Sequence, residues 1–578
     1  MKKFLLAAPA LLLGAALCFG RPSDGLHTLH IYTTNDIHGH YFDSLYVGGR
    51  LQGSLLSVSK FISERRAELG ADRVILLDGG DFLQGDNAAY YYNYVATDRP
   101  HVYPLMAADI GYDAIAVGNH DIETGPAVFD RIDRELGRIP YLAANAIDPS
   151  GKPHFQEYTI LRKDGFKVAV VGFTNPNMRA WLDEDKLAGI DFKDPTHGFA
   201  QGVVDRVVKK EKPDVVVVVI HSGTGAGDGS SYESQGRDLL YELKGVDVIV
   251  CAHDHRPYTE QYGSSCLVNS GSHCRNAGCV EVSLEVRGGK VVSKAVKASL
   301  ERLDFKAVDE DLKAKYAGSF REVKAFSTRE IGSLEMPLST RPAYIGVNDC
   351  VGFVHRVCLE ASGADVSVAA PLKFDAYVAP GKVIYNDLFS IYPFENQLFV
   401  VEMTGAEIVR YLEASYDSWI VSDRPGHVLR ISQRADPRTG AQNWSFDARS
   451  YNFDSAAGIR YTVDVTKDYG SRVQVLGMAD GSAFRPDGVY KVAMTSYRAS
   501  GGGGLLRRAG IQPKVVGRLK EIRDFVGDCF AAHGTIGPEF TRCEAVLGSW
   551  KFVPEGVQAT LEQDLKLVFP ERGGRVGF

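Results

Sequence analysis

Residues 29–40 read Leu-His-Ile-Tyr-Thr-Thr-Asn-Asp-Ile-His-Gly-His, an apolar run that ends in polar residues. The β-branched and aromatic residues of the run are typical of a buried strand. Four later runs repeat this arrangement, since each is followed by residue types that bind metal ions. They are residues 74–77 before Asp78-Gly79-Gly80-Asp81, residues 114–117 before Gly118-Asn119-His120-Asp121, residues 215–220 before His221, and residues 248–252 before His253-Asp254-His255.

These runs alternate with helical patterns between residues 27 and 300. Such alternation is typical of a layered α/β domain whose strands are buried on both faces. In α/β sheets, ligands bind in the loops beyond the strand ends. The polar residues that follow the five strands are therefore expected to lie together in one site.

The residue types at these strand ends suit the hydrolysis of a phosphoester. A phosphoester is anionic and repels a nucleophile, whereas two cations roughly 3.5–4 Å apart can bind its oxygens and activate a water molecule. One carboxylate must bridge the cations, and neutral histidine and amide ligands complete the two sets. In Asp36-Ile37-His38 we expect an extended segment with the first and third side chains on one side, and likewise for His253 and His255.

Each of these residues, taken alone, is more often a helix cap, a turn former or a hydrogen-bonded histidine. Five such signals, each at a strand end, indicate a metal site. Their order, Asp-x-His, Gly-Asp, Gly-Asn-His, His and His-x-His, resembles that of the calcineurin-like metallophosphoesterases. The surrounding residues resemble the 5'-nucleotidase superfamily over nearly all of residues 27–525.

The resemblance implies an α/β fold in two domains. A four-layer metallophosphoesterase domain, with sheets sandwiched by helices, is followed by a smaller α+β nucleotide-binding domain. It also implies two divalent metal ions, which can be Zn, Mn, Fe or Co. One ion would be held by Asp36, His38, Asp81 and His255, and the other by Asp81, Asn119, His221 and His253, with Asp81 bridging.

The family pattern assigns a catalytic role to His120. It would lie over the phosphate and stabilise charge in the transition state or protonate the leaving oxygen. In 5'-nucleotidases an Asp often lies three residues after this histidine, but here the residue is Glu123. The longer carboxylate can still orient the imidazole. Asp121 is the alternative partner, or it is only a turn residue.

Two segments of the second domain predict the nucleotide site: residues 390–396, Ser-Ile-Tyr-Pro-Phe-Glu-Asn, and residues 496–503, Ser-Tyr-Arg-Ala-Ser-Gly-Gly-Gly. An aromatic ring beside a glycine-rich loop can present an open face to a base, and stacking is worth roughly 1–3 kcal/mol per base. The alternative is that both rings belong to the core. The predicted substrate-binding residues are Phe394, Tyr497, Lys373, Asn396, Gly501 and Gly502.

Subfamily detail favours a particular substrate. Where 5'-nucleotidases carry Gly-Gly-x-Arg this chain has Ala370-Pro371-Leu372-Lys373, and where they carry an Asp for the ribose hydroxyls it has Gly503. Residues 367–373, 415–419, 451–454 and 497–499 look like those of the periplasmic 2',3'-cyclic-nucleotide 2'-phosphodiesterase/3'-nucleotidases. That resemblance implies ring opening to a 3'-phosphate and then its hydrolysis. The alternatives are a 5'-nucleotidase or nucleotide-sugar hydrolase, and a non-catalytic surface protein that binds nucleotides.

The remaining features concern export and domain organisation. Lys2 and Lys3 precede an apolar stretch, which predicts a signal peptide over residues 1–20. We therefore expect an exported protein, periplasmic or extracellular. A lipid anchor at Cys18 is less favoured, because a lipoprotein signal normally has a small residue where this chain has Leu17. Eight further cysteines permit disulfides, for example between Cys350 and Cys358. The predicted parts are a calcineurin-like metallophosphoesterase domain over residues 27–304, a linker helix over 305–340, a substrate-specificity domain over 341–528, and a tail over 529–578 without an assigned role.

Charge and hydropathy exclude other classes of protein. The net charge is −7, so we expect no surface that binds a nucleic acid duplex. Beyond residue 20 the longest apolar run is only residues 215–220, too short for a transmembrane span. The expected partner is a small-molecule nucleotide substrate, and no oligomeric state is predicted.

Overall fold

The computed structural model describes residues 22–570 except 183, 395, 422–423 and 436–439. The predicted signal peptide and the end of the predicted tail lie outside the described residues. Among the helices that are described, none combines the length and the apolar character that crossing a membrane requires.

The first domain contains two six-stranded sheets. The strands of the first, in spatial order, are Lys290–Arg302, Asn276–Arg287, Gly25–Thr34, Val74–Asp78, Ala114–Ala116 and Tyr141–Leu142. Those of the second are Tyr258–Tyr262, Ser265–Asn269, Val248–Cys251, Val215–Ile220, Phe166–Phe173 and Tyr158–Lys163. The last four strands of the first sheet are parallel to one another, as are Ser265–Asn269, Val248–Cys251, Val215–Ile220 and Phe166–Phe173 of the second.

The side chains of the strand Val215–Ile220 show how the layers pack. Val215, Val217 and Val219 contact the first sheet, in a core formed by the facing sides of the two sheets. Val216 and Val218 point the other way, into a core formed with the outer helices. Successive side chains of a strand alternate between faces, so an unbroken apolar run is required when both faces are buried.

Helices cover the outer face of each sheet, which completes four layers. Helices Leu55–Leu69, Val102–Ile110 and Pro126–Leu136 pack against the first sheet, and helices Phe199–Glu211 and Gly236–Glu242 against the second. The predicted α/β fold with sheets between helices is confirmed. Shorter helices span Asn87–Tyr90, Asn119–Glu123, Met178–Trp181 and Glu184–Leu187, and the short strands Ala146–Ile147 and Asp191–Phe192 pair with each other.

The second domain is built around a five-stranded mixed sheet. Its strands, in spatial order, are Ser455–Ala457, Val366–Ala369, Val489–Thr495, Gln397–Thr404 and Lys514–Glu521. Helices Asp349–Ser362 and Ile522–His533 pack on one face, and helix Gly405–Trp419 on the other. Smaller pieces are the hairpin Ile431–Ala435 with Gln442–Phe446, the paired strands Leu338–Ser339 and Tyr377–Val378, and the short helices Leu388–Ile391, Ser496–Ala499 and Leu505–Arg508.

The segment expected as one linker helix has a different structure. It contains two helices, Glu310–Lys315 and Ala317–Ser327, and then the strand Glu330–Leu334. Within the second helix, Val323 is buried in the core of the first domain and Phe326 in a core of the second. The connection is therefore packed into both domains.

The residues from 529 onward, predicted as a tail, add elements to the second domain. Strand Thr535–Ile536 joins Glu330–Leu334 and Gly381–Ile384 in one sheet, and strand Gly548–Val553 joins Ile459–Asp464 and Val473–Met478 in another. Short helices span Pro538–Thr541 and Glu544–Leu547, and helix Val557–Val568 packs into the core around helix Gly405–Trp419. Such short strands, with partners far along the chain, leave little local pattern in the sequence.

The eight described cysteines are all free thiols. Cys350 and Cys358, a pair that seemed close in sequence, both lie on helix Asp349–Ser362. Eight residues of α-helix separate two side chains by about 12 Å along the axis. That is beyond the reach of a disulfide, which requires Cα atoms less than about 7 Å apart.

Candidate metal centre and substrate cavity

The predicted ligands come together at the carboxyl ends of the parallel strands. Asp36, Asp81 and Asn119 follow three neighbouring strands of the first sheet, and His221 and His253 follow two neighbouring strands of the second. The two sheets bring these ends into contact, since the backbone N–H of His253 donates to both carboxylate oxygens of Asp36 at 3.0–3.1 Å.

One group of possible metal ligands consists of Asp36, His38 and His255. The Nε2 atoms of the two histidines are 2.8 Å apart, and Asp36 Oδ1 lies 3.4 Å from Nε2 of His255. Asp36 and His38 are almost fully buried, at 0 % and 5 % exposure. Burial lowers the pKa of His38 to about 3, so its imidazole is neutral and able to bind a metal ion.

The second group consists of Asp81, His221 and His253, with the side-chain oxygen of Asn119 among them. Nε2 of His221 is 3.0 Å from Asp81 Oδ2 and 3.0 Å from Asn119 Oδ1. Nδ1 of His253 is 2.8 Å from the same amide oxygen. Asp81 belongs by distance to this group, and its role as a bridge between two metal ions stays a prediction.

The outer contacts of these histidines orient their lone pairs towards the centre of each group. Nδ1 of His221 donates to the carbonyl of Gly79 at 2.7 Å, and Nε2 of His253 donates to Glu233 at 2.9 Å. Such partners leave the other ring nitrogen as an acceptor. Four acceptor atoms of the second group therefore face one another, an arrangement that a cation stabilises, and the residues fit a metal ion.

The close contact between His221 and Asp81 shifts the pKa of both side chains. Although burial opposes it, the neighbouring Asp81 carboxylate raises the pKa of His221 to about 9. Burial likewise opposes ionisation of Asp81, but the charge of His221 holds the pKa of this carboxyl well below its usual range. The centre is thus a buried, negatively polarised cluster that requires positive charge.

The backbone conformation at the ligands differs from our expectation of extended segments. Five of the seven predicted ligands have a positive φ, between 49° and 72°, and they are Asp36, His38, Asp81, His253 and His255. Residues other than glycine seldom adopt this left-handed conformation, which costs of order 1–3 kcal/mol each and concentrates at functional sites. Hydrogen bonds hold the turns, for example from the N–H of Asp36 to the carbonyl of Gly80 at 2.9 Å.

His120 lies beside the second group, and Glu123 is its partner. Nδ1 of His120 is 2.5 Å from Glu123 Oε2, so the longer carboxylate does reach the imidazole. The backbone N–H of His120 donates to Asp81 Oδ1 at 2.8 Å, which places the histidine against the metal site.

Asp121, the alternative partner, has another role. Its buried carboxylate accepts hydrogen bonds from the backbone N–H groups of Asp81, Phe82, Leu83 and Gly118 at 2.8–3.1 Å. It therefore holds together the two loops that carry Asp81 and Asn119.

A cavity of about 370 Å³ opens onto the metal site from the second domain. Its lining combines side chains of the metal end with aromatic rings. They include Asp81, His120, Glu233, His253 and His255 on one side and Phe394, Asn396, Tyr451, Tyr497 and Arg498 on the other. Of the predicted substrate residues, Phe394, Asn396 and Tyr497 thus line the cavity.

The two predicted rings are not core residues: Phe394 is 42 % exposed and Tyr497 is 41 % exposed. Tyr451, which we did not predict as a contact, lies nearly perpendicular to both, with ring centroids 6.1 Å from Phe394 and 6.4 Å from Tyr497. It forms an edge-on wall of the cavity.

The glycine loop packs against one of these rings. A Cβ atom at Gly502 would collide with the ring of Tyr497, so the loop approaches the ring as only glycine allows. Gly501 has a φ of 95°, a conformation that favours glycine.

Lys373, also predicted to bind substrate, is exposed, and it is not among the residues that line the cavity.

Arg498 and Glu233 also line the cavity, although neither is among the predicted site residues. Arg498 is buried, donates to Asp454 at 2.8 and 3.0 Å, and also binds the carbonyls of Tyr451 and Gly502 at 2.9 and 2.7 Å. It thus joins the backbone of the segment that carries Tyr451 to that of the glycine loop. No strand or motif marks the loop that carries Glu233, so only the fold reveals that residue.

Comparison with known proteins agrees with this architecture. The family model of the calcineurin-like phosphoesterases matches residues 29–257, and that of the 5'-nucleotidase C-terminal domain matches residues 330–508. The chain is similar to a 5'-nucleotidase from Vibrio cholerae, with 26 % identity over 83 % of this chain and 86 % of the relative. It is also similar to a 2',3'-cyclic-nucleotide 2'-phosphodiesterase/3'-nucleotidase from Salmonella typhimurium, with 25 % identity over 82 % and 81 %.

A solved structure shares the fold. It is a Staphylococcus aureus protein assigned as a 5'-nucleotidase, with a TM-score of 0.72 and 20 % identity over 91 % of this chain and all of that one. Calcineurin-like phosphoesterases use a dinuclear metal centre, and the two groups of ligands provide the residues for one here. The chain belongs to the family of phosphoric ester hydrolases in which a calcineurin-like phosphoesterase domain precedes a 5'-nucleotidase C-terminal domain.

Proposed function

We propose that this protein hydrolyses nucleotides and releases their phosphate, and that 2',3'-cyclic nucleotides and 3'-nucleotides are its preferred substrates. One observation carries the proposal: a single cavity has exposed aromatic rings at one end and His120 with the metal-site residues at the other. A base can stack on the rings while the phosphate lies at the metal end. The names of the relatives, which include nucleotidases of both kinds, agree with a nucleotide substrate.

The proposed metal ligands are the seven predicted residues, in the two sets given by the family pattern. When bound, two divalent ions would neutralise the phosphate charge and make water a stronger nucleophile. The donors are neutral imidazoles, one amide and two carboxylates, which suit Zn, Mn, Fe or Co. The protein contributes a buried site in which these donors are already oriented by Gly79, Gln84 and Glu233.

His120 is the proposed catalytic acid. Its Nδ1 is held by Glu123, which orients the ring. The ring lines the same cavity as the metal-site residues and the rings of Phe394 and Tyr497. We place the ester oxygen of a bound nucleotide beside it. From there it can give a proton to the departing ribose oxygen.

The preference for 3' and cyclic substrates rests on the ribose end of the cavity. At Gly503 a Cβ atom would collide with Asn452 and Arg498, so the place where 5'-nucleotidases carry an Asp has no room for a side chain in this arrangement. Ala369, Ala370 and Leu372 also line the cavity, whereas Lys373 of the same segment is not part of the lining. A ribose that is not gripped through its 2' and 3' hydroxyls can turn those oxygens towards the metal end.

The test is phosphate release from 2',3'-cyclic AMP, 3'-AMP and 5'-AMP, with and without added Mn²⁺. The cyclic substrate is followed by its conversion to 3'-AMP and adenosine. Faster turnover of the first two supports the proposal. Preference for 5'-AMP would agree with the metal site but contradict our assignment of the ribose end. Nucleotide binding without turnover, in protein of full metal content, would contradict the proposed hydrolysis.

We also propose that the protein acts after export, because residues 1–20 have the pattern of a signal peptide. Fractionation of cells that express the full chain tests this. The processed protein is expected in the periplasm or the medium, and retention in the cytoplasm at full length would contradict it.

A further inference from the structure

A second cavity adjoins the first, and the proposed function does not use it. Its volume is about 170 Å³. Trp181 and Leu182 of the first domain and Ser496 of the second form its walls, and it shares His120, His253 and Tyr497 with the larger cavity. The two cavities therefore meet where the phosphate of a bound nucleotide would lie.

Trp181 gives this second cavity a flat apolar wall. Its indole ring stacks on the imidazole of His253, with a centroid distance of 5.6 Å and an interplanar angle of 22°. The preceding residue, Ala180, accepts a hydrogen bond at 2.6 Å from the hydroxyl of Ser500 in the glycine loop. A tryptophan held in this way offers a large binding surface at little entropic cost.

The size and charge of the cavity define what it can hold. An apolar cavity of about 150 Å³ accommodates one benzene ring in a protein, so about 170 Å³ suffices for one ring. The carboxylates of Glu123 and Glu233 also line it. Negative side chains disfavour a further phosphate there, because like charges repel at short range.

We propose that this cavity is a subsite for a neutral, ring-bearing alcohol that is esterified to the same phosphate as the nucleoside. The enzyme would then accept nucleoside phosphodiesters with an aromatic second ester group. The inference rests on the proposed function, since the nucleoside is taken to fill the larger cavity. Hydrolysis adds one water: its oxygen bonds to phosphorus, one P–O ester bond breaks, and the departing oxygen receives a proton.

The test compares the benzyl and methyl diesters of thymidine 3'-phosphate. The two alcohols are leaving groups of similar basicity, and thymidine lacks the 2'-hydroxyl that could displace either of them. We expect kcat/KM to be about tenfold higher for the benzyl diester, from stacking on Trp181. Trp181→Ala should remove this preference, so that the ratio of kcat/KM for the benzyl and methyl diesters falls to about one, whereas Trp181→Phe should retain most of it.

A matched control is Trp444→Ala, because Trp444 is also partly exposed but lies on the strand Gln442–Phe446 of the second domain. It should leave both diesters unchanged. If Trp181→Ala lowers turnover of both diesters equally, the indole acts only through His253, and the subsite is rejected. Equal kcat/KM for the two diesters in wild-type enzyme rejects it as well.

A second readout does not depend on catalysis. Calorimetry on metal-loaded His120→Ala protein, in which hydrolysis is expected to be slow, should show tighter binding of the benzyl than of the methyl diester by about tenfold, and adding Trp181→Ala should abolish the difference. If no thymidine ester is hydrolysed by protein of full metal content, the proposed function fails. The subsite is then judged by this binding difference alone, and its absence overturns the inference.

Discussion

The two ends of the substrate cavity are built in different ways. At the metal end the ligands are largely buried, several have a left-handed backbone, and their ring nitrogens are held by outer partners. At the nucleoside end the rings of Phe394 and Tyr497 are about two-fifths exposed. The ligands at the metal end are therefore held in one geometry, whereas the nucleoside end supplies apolar area that tolerates variation. Substitutions should therefore cost much at one end and little at the other.

The largest effect is expected at Asp81, the predicted bridge between the two metal ions. Asp81→Ala should lower phosphate release about a thousandfold, because the charge stabilisation lost on losing the metal ions amounts to several kcal/mol. Metal content, measured by atomic emission on purified protein, should fall in parallel. Asp98→Ala, at an exposed carboxylate, is the control. Retention of more than about a tenth of wild-type turnover would show that Asp81 does not serve both metal ions.

A smaller effect is expected at the pair formed by His120 and Glu123. His120→Ala should lower kcat about a hundredfold, the usual contribution of a general acid, and Glu123→Gln about tenfold. Because Glu123 acts through the imidazole, the double variant should be no slower than His120→Ala alone. Additive losses in this double-mutant cycle would mean that Glu123 contacts the substrate directly.

At the nucleoside end the effect should appear in KM. Phe394→Ala should raise KM for 3'-AMP by about tenfold, corresponding to the loss of one stacked ring. The variant should hydrolyse p-nitrophenyl phosphate, which carries no base, at the wild-type rate. Tyr262→Ala, another exposed aromatic, is the matched control. An equal loss on both substrates would place Phe394 at the catalytic end of the cavity and contradict its assignment to the base.

The smallest effect is expected at Lys373. Its side chain is exposed and not part of the cavity lining, so Lys373→Ala should change kcat/KM for 3'-AMP by less than about twofold. This expectation sharpens the sequence-based hypothesis that Lys373 binds substrate. A change of tenfold or more at low ionic strength, lost at high salt, would show that Lys373 reaches the phosphate in solution.

The place of the predicted ligands in the fold could be deduced from the sequence because these seven residues follow five strands by one to four residues. A parallel sheet aligns the strand ends, so an apolar run and the next polar residue are enough to place Asp36 or His221. The backbone geometry could not be predicted, since the left-handed turns depend on hydrogen bonds such as that between Asp36 and Gly80 across two loops.

The remainder of the site depends on contacts between distant segments. Glu233 lies in a loop and Trp181 ends the four-residue helix Met178–Trp181, and both contact His253 although they are distant from it in sequence. Tyr451 becomes part of the cavity because Arg498, 47 residues away, binds its carbonyl. A single sequence carries no local signal for such pairings, nor for the short strands after residue 529 that complete the second domain.

The left-handed backbone at five ligand positions limits how this centre can be re-engineered. At φ values near 50–70° asparagine, aspartate, histidine and glycine are tolerated, whereas β-branched residues are strained. A library intended to change metal preference at Asp36, His38 or Asp81 should therefore be drawn from these residue types. Threonine or valine there would add backbone strain to any change in coordination, so a loss of metal binding could not be assigned to the ligand atoms alone.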